Sequence, residues 1–475
     1  MCNRSYRASA AAFAILLLLP IAAAAAPAEQ VSSETVARVD ATVAKTLSIG
    51  HIPGMSISVS RDGTIVYSNA FGYANLARHT PATVQTHYEI GSITKQFTAT
   101  AILQLKEAGK LSIDDTLGKW IPEYPRGAKI TIRELLQQTT GIPDYTDSNG
   151  FVKIAGTKKP SFAAMMALIA GKPLEFAPGS RFSYSNTNYI VLGEIVERAS
   201  HTPYETYVRA HLFEPAGMAS SGFIDDEAAL QPMAAGYTVD KKGVKVAPPL
   251  LSGWAWSAGA IVSTVDDMQN WDAALLRGKL INQTDLAAMF SPGKPAWDKN
   301  AWYAYGWVVD SADGHKRIWH NGGTFGFLSA NLLFPKDRVA IVVLQNGTSM
   351  AAPESTAMRV FEALEPSAAV ATSAAGEDPA VTARLRDWVG RLESGNLDRS
   401  QLTPRMSAHL SPSMVAEIKT EMAPLGAPQQ LLYVSKSVTP RGTIYTYRAV
   451  FAAATFNLHI AIDTQGKIGG LTMTP

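Results

Sequence analysis

Two pairs of alternating apolar runs stand far apart in this chain, with helical patterns between them. "MSISVSRDGTIVYSNAFG", residues 55–72, reads as two β-strands turning at Asp62-Gly63. "GFLSANLLFPKDRVAIVVLQNG", residues 326–347, reads as two more, joined at Pro335-Lys336-Asp337. Apolar residues recur at helical spacing over 94–108, 131–138, 187–200 and 264–277, the last run stopping at Gly278. Strands at both ends of this region and helices between them predict a mixed α/β fold, an antiparallel sheet assembled from both ends and flanked by helices.

The pattern changes after residue 365. "EPSAAVATSAAGEDPA" is small, polar and aperiodic, and 366–378 reads as a linker. Beyond it, Val381, Leu385, Trp388 and Leu392 mark one amphipathic helix, and Val415, Ile418 and Met422 a shorter one. β-rich runs follow at 431–438, 443–451, 456–462 and 468–473, so residues 379–475 form a small α+β domain.

Arg4 and Arg7, the apolar run Ala10 to Leu19, Pro20 and the alanines after it read as a secretory signal peptide over residues 1–26. The expected location is periplasmic or secreted, with one large domain over 27–365. Removing the signal takes away two of the 42 basic residues and leaves 40 charges of each sign. A neutral chain without a basic run has no electrostatic support for a nucleic-acid partner or an anionic membrane. The single cysteine, Cys2, leaves with the signal, so neither disulfide nor thiol chemistry is expected. The nine histidines are scattered without HExxH or a Cys/His cluster, and neither a metal nor a cofactor is expected.

Chemistry is concentrated in three short stretches. "GSITKQFTA", residues 91–99, puts Ser92 and Lys95 on one face of a helix start, with Cβ atoms about 5–6 Å apart. Ser92 is also able to cap that helix. "FSYSNTNYIVLGEIVERA" places Tyr184 on a loop just ahead of a helix, where polar groups converge, unlike the Tyr-x-Asn matches at Tyr67 and Tyr73 in or beside the hairpin. His-x-Gly occurs once, as His320-Asn321-Gly322, ahead of a predicted strand. A second Ser-x-x-Lys, Ser291 to Lys294, is broken by Pro-Gly into a turn. The plain alternatives are a helix cap for Ser92 and Asn186, a solvated Lys95, a loop aromatic at Tyr184 and a structural strand histidine at His320. Trp254 and Trp256 read as packing rather than as a substrate wall.

"GSITKQF", "YSNTNYIVLG" and "HNGGTFGFLS", in that order, resemble the three active-site motifs of the serine β-lactamase and penicillin-binding-protein superfamily. The branch is that of class C β-lactamases, D-alanyl-D-alanine carboxypeptidases, D-aminopeptidases and related esterases. "LLQQTTGIPDY" and "WSAGAIVSTVDDMQNW" are similar to two supporting segments of that branch. The resemblance covers about residues 40–350 and implies the β-lactamase/transpeptidase-like fold with its helical subdomain. The C-terminal part more faintly resembles nuclear transport factor 2.

The resemblance implies an acyl-enzyme on Ser92, with Lys95 and Tyr184 forming the proton network around its oxygen. It implies that Asn186, His320, Gly322 and Gly323 bind substrate, with the N–H groups of Ser92 and Gly323 as the oxyanion hole. Histidine stands at 320 where class C β-lactamases carry lysine, so peptide or ester hydrolysis is expected over β-lactam turnover. Gln138 and Thr140 replace the branch's usual histidine and serine, which reads as a structural change. No Gly-x-Ser-x-Gly occurs, so an α/β-hydrolase nucleophile elbow is unsupported. The expected function is an exported serine hydrolase acting on small peptides or esters, D-amino-acid-containing peptides first. The alternatives are a carboxylesterase, a weak β-lactamase, or a non-catalytic binding protein on this scaffold.

Overall fold

The computed structural model describes residues 31–148, 151, 160–240, 242–297, 300–312, 314–349, 351–364, 376–423, 425–439, 442–451 and 455–474. The expected signal peptide and most of the expected linker lie outside them. Eight antiparallel strands form the central sheet: β1 (Gly54–Arg61), β2 (Thr64–Asn75), β3 (Thr80–Pro81), β4 (Trp302–Tyr303), β5 (Val308–Ala312), β6 (His315–Thr324), β7 (Phe327–Phe334) and β8 (Val339–Gln345). Their order is β3-β2-β1-β8-β7-β6-β5-β4, so the two ends of the region meet where β1 pairs with β8. The register runs from Met55 opposite Gln345 to Arg61 opposite Val339. Asp62 and Gly63 both take positive φ at the β1–β2 turn, which is why an Asp-Gly pair is found there.

β8 reads as an unbroken apolar run because it is covered on both faces. Ile341 and Val343 point to one core and Val342 and Leu344 to the other. The first core is closed by α1 (Ser33–Gly50) and α5 (Pro353–Leu364), which pack against each other and, in the case of α5, against β7 and β8. Neither helix was expected, although Val36, Val39, Val43 and Leu47 carry the helical repeat in α1. The second, larger core holds α2 (Thr94–Glu107), α3 (Asn186–Ser200) and α4 (Val265–Leu276). The run expected over 131–138 is a helix of Ile132–Leu136, started by a Thr131–Glu134 capping box, and Gln138 beyond it adopts a left-handed φ.

Ser92 does not cap α2. It lies in a single 3₁₀ turn, Gly91–Ile93, that leads into the helix, and Ile93 at the helix boundary makes no side-chain cap. Its hydroxyl is held by Lys95 instead.

Beyond residue 376, α6 (Pro379–Ser394) and α7 (Pro412–Met422) pack together, and α6 also meets a four-stranded antiparallel meander of residues 430–474. A third core, drawn wholly from residues 381–473, belongs to this unit. It joins the rest through α5: Arg448 donates to Glu362 at 2.6 Å, and Arg359 donates to the Phe451 carbonyl.

Candidate active site

The site forms where the lead-in of α2 meets β6. Gly91 takes a positive φ of 52°, and a Cβ there would lie 2.6 Å from the Gly323 nitrogen. At Gly322 an added Cβ would fall 2.0 Å from the Ile90 carbonyl oxygen, and Ser329 Oγ donates to that same oxygen at 2.8 Å. Glycine at 91 and 322 therefore lets two backbones touch. The contact sets the main chain of Gly323 beside the residue preceding Ser92, the juxtaposition an oxyanion hole of those two N–H groups requires.

Lys95 is fully buried. Its Nζ lies 3.0 Å from Ser92 Oγ, 2.9 Å from Asn186 Oδ1 and 2.8 Å from the Ala258 carbonyl oxygen. The rings of Tyr184 and Tyr189 close over it, with centroids 5.0 and 5.7 Å away. Burial pushes its pKa down to about 7, while the charge of Asp144 pulls it back up. A neutral amine here spends its two N–H groups on Asn186 and Ala258, which accept only. Its lone pair is left facing the Ser92 hydroxyl.

The orientation of Asn186 is set in turn by Asp144. Asp144 Oδ2 accepts from the Asn186 backbone N–H at 3.0 Å and from its Nδ2 at 2.9 Å, so the amide oxygen must face Lys95. Asn186 opens α3 after Ser185, and the helix caps in this way rather than with its own side chain. Asp144 and the Ala258 carbonyl were not anticipated as site groups. Both lie in the two supporting segments, "LLQQTTGIPDY" and "WSAGAIVSTVDDMQNW", so the signal was present without a role attached. Gln138 is structural as expected: its Oε1 accepts from Ser185 N–H at 3.1 Å and from Asn188 Nδ2 at 2.5 Å.

Tyr184 precedes α3 and faces Ser92. Burial, then the neighbouring Tyr303, raise its pKa well above the ordinary phenol value, and its hydrogen bond with Ser92 opposes them. The phenol therefore keeps its proton. Its ring sits in an aromatic group with Tyr303, His320 and Trp297, at centroid distances of 5.9, 6.1 and 6.1 Å.

His320 is 2% exposed. Its Nδ1 lies 2.5 Å from the Asn321 carbonyl oxygen and its Nε2 lies 3.1 Å from Tyr303 Oη. The carbonyl can only accept, so Nδ1 carries the proton and Nε2 accepts from the phenol. Burial first and the Lys95 charge second push its pKa down to about 3. The imidazole is neutral with both nitrogens occupied, which places it under the site wall rather than free to reach a substrate. Trp254 packs against Phe151 and Trp256 against Tyr204, in keeping with their reading as packing residues.

The Beta-lactamase family model matches residues 39–365. Protein flp of Staphylococcus aureus is 30% identical over 335 residues, covering 68% of this chain and 66% of its own length, so the chain spans just under two thirds of such relatives. A D-stereospecific amidohydrolase from Streptomyces sp. superposes with a TM-score of 0.61 at 26% identity, over 69% of this chain and 98% of that one. An octameric penicillin-binding protein homologue from Pyrococcus abyssi shares the fold at a TM-score of 0.65 and 22% identity, over 90% of this chain and 96% of its own.

Proposed function

We propose that this chain, which belongs to the beta-lactamase family, is an exported serine hydrolase that forms an acyl-enzyme on Ser92 and cleaves D-amino-acid-containing peptides or amides. The observation that carries the reading is the hydrogen bonding of Lys95, which leaves one direction open and aims it at Ser92 Oγ. Neutral Lys95 takes the proton from Ser92 as Oγ attacks the acyl carbon. The N–H groups of Ser92 and Gly323 hold the developing oxyanion. Tyr184, kept as a phenol, passes a proton to the departing atom and is restored from Lys95. Water then takes the place of the leaving group and releases Ser92. Burial supplies the lowered amine pKa, and Asp144 supplies orientation.

Similarity to a protein described as a D-stereospecific amidohydrolase supports the substrate class. The neutral, occupied imidazole of His320 supports uncharged acyl substrates, and so keeps a carboxylesterase as the second reading. Export rests on Arg4, Arg7 and the apolar run after them. The deciding experiment sets wild type and Ser92→Ala against D-alanyl amides and peptides, their L-alanyl counterparts, short-chain p-nitrophenyl esters and a chromogenic cephalosporin. The expected result is D-selective amide turnover, lost in Ser92→Ala, with a fluorophosphonate adduct mapped to Ser92. Cephalosporin should be turned over at least about tenfold less efficiently, a gap of about 1.4 kcal/mol in the transition state. Turnover that survives Ser92→Ala would place the chemistry elsewhere, and fractionation that finds the protein in the cytoplasm would remove the export claim.

A further inference from the structure

We propose that the indole of Trp297 forms a shelf for the leaving group, selecting substrates whose departing alcohol or amine carries an aromatic or large apolar substituent. The proposal rests on the acyl-enzyme reading above and adds the chemistry of the leaving group to it. Trp297 is 60% exposed, yet it is not a free surface ring. Phe182 meets it edge-on at 5.1 Å, Tyr303 edge-on at 6.3 Å, and Tyr184 lies tilted against it at 6.1 Å. Those three rings hold part of the indole and leave the remainder facing solvent. A tryptophan buries about 150–250 Å² of surface when covered, so most of that gain is still available to a ligand. Scattered apolar surface residues need no explanation, but this one leans on the residue that touches the nucleophile.

The side of the site follows from proton balance. When Ser92 Oγ bonds to the acyl carbon, the bond from that carbon to the leaving oxygen or nitrogen breaks. The proton removed from Ser92 must reach the leaving atom. Lys95 and Tyr184 are the groups placed to hold it, so the leaving atom departs toward Tyr184. Its substituent then meets what lies beside Tyr184, which is Trp297. Beneath that wall, His320 is neutral and has both nitrogens taken by Tyr303 and Asn321. Among the described residues beside Tyr184 on that side, Trp297, Tyr303 and Phe182 offer the leaving group an aromatic surface.

D-alanine benzyl ester and D-alanine methyl ester test this directly. They share one acyl group and release alcohols of similar acidity, so their difference reports contact with the substituent. In the wild type, kcat/KM for the benzyl ester should exceed that for the methyl ester by about tenfold, within reach of ring stacking plus burial. Trp297→Ala should bring the ratio close to one, and Trp297→Phe should keep most of it. Equal efficiency for the two esters in the wild type, release of neither alcohol, or a ratio unmoved by Trp297→Ala overturns the shelf. The wild-type ratio decides the matter if Trp297→Ala fails to fold. Fluorophosphonate labelling of Ser92 run alongside separates the causes. Without labelling the acyl-enzyme reading fails; labelling with no benzyl preference removes the shelf alone.

Discussion

At the residue scale the proposed chemistry depends on one proton. Lys95 has a folded pKa of about 7 against an ordinary value of 10.5, because burial disfavours the ammonium. It is base-competent above that value and lost as a base below it. Acylation by a D-alanyl amide should rise with pH through about 7 and then level off, since the raised pKa of Tyr184 keeps its proton in place. Single-turnover rates across pH 5–9 would check this, and a flat profile would remove Lys95 as the base (the range is about two units either side of the pKa). Asp144→Asn gives a second reading of the same network. Asp144 raises the Lys95 pKa, so its loss should move the midpoint to lower pH. It should also reduce the plateau by roughly 10–100-fold, because Asn186 loses the carboxylate that aims it. The linkage sign for stability is the same group seen from the unfolded state. Between pH 7 and 10.5 the unfolded chain holds the Lys95 proton more tightly than the fold does, so this residue's contribution makes the fold more stable as pH rises. A motif search finds Lys95, whereas the role of Asp144 rests on two hydrogen bonds spanning 42 positions.

At the scale of elements the critical feature is the approach of β6 to the lead-in of α2. Gly322→Ala would place a methyl 2.0 Å from a backbone oxygen that has nowhere to go, at the segment leading to Ser92. It should destabilise the protein by about 1–3 kcal/mol or more and abolish Ser92 labelling. Gly323→Ala meets only the flexible end of Leu328, at 3.3 Å, and should fold normally. Thermal melts of both variants check the contrast; equal melting temperatures would mean the two backbones do not touch as described. Element type was legible where periodicity was strong: all four helical patterns before residue 365 and the four expected strands of the sheet are present. The lead-in was not. Ser92 is a good capping residue by type, but its hydroxyl had a stronger local partner in Lys95, and the turn before the helix tightened instead.

For the whole molecule, the C-terminal unit owns its core yet is pinned to α5. The pair Arg448–Glu362 is mostly buried, with side-chain exposures of 9% and 23%, and burial lowers the Arg448 pKa to about 10. A chain ending at Leu364 should keep most of its turnover of a small ester, since every proposed site residue precedes α5. It should melt at a lower temperature, because Glu362 and Arg359 then lose their partners across the junction. Loss of turnover with an unchanged circular dichroism spectrum would instead tie the C-terminal unit to the site. The pairing was invisible in sequence, where Glu362 and Arg448 are two charges among 82.

Some properties of this protein follow from order along the chain alone. Alternation with period two and recurrence with period near 3.6 are local, so strands and helices could be read without a structure. The Ser92–Lys95 pair could be read for the same reason, since three residues on a helix start are neighbours by geometry. Tertiary structure decided what was not local: which way Asn186 points, that His320 is sealed beneath Tyr303, that Trp297 leans on Tyr184, and that two glycines join β6 to Ser92. Burial is a property of the packed whole, and burial is what lowers the Lys95 pKa and holds the Tyr184 proton. The motifs name the atoms; packing lowers the pKa of Lys95 and raises that of Tyr184.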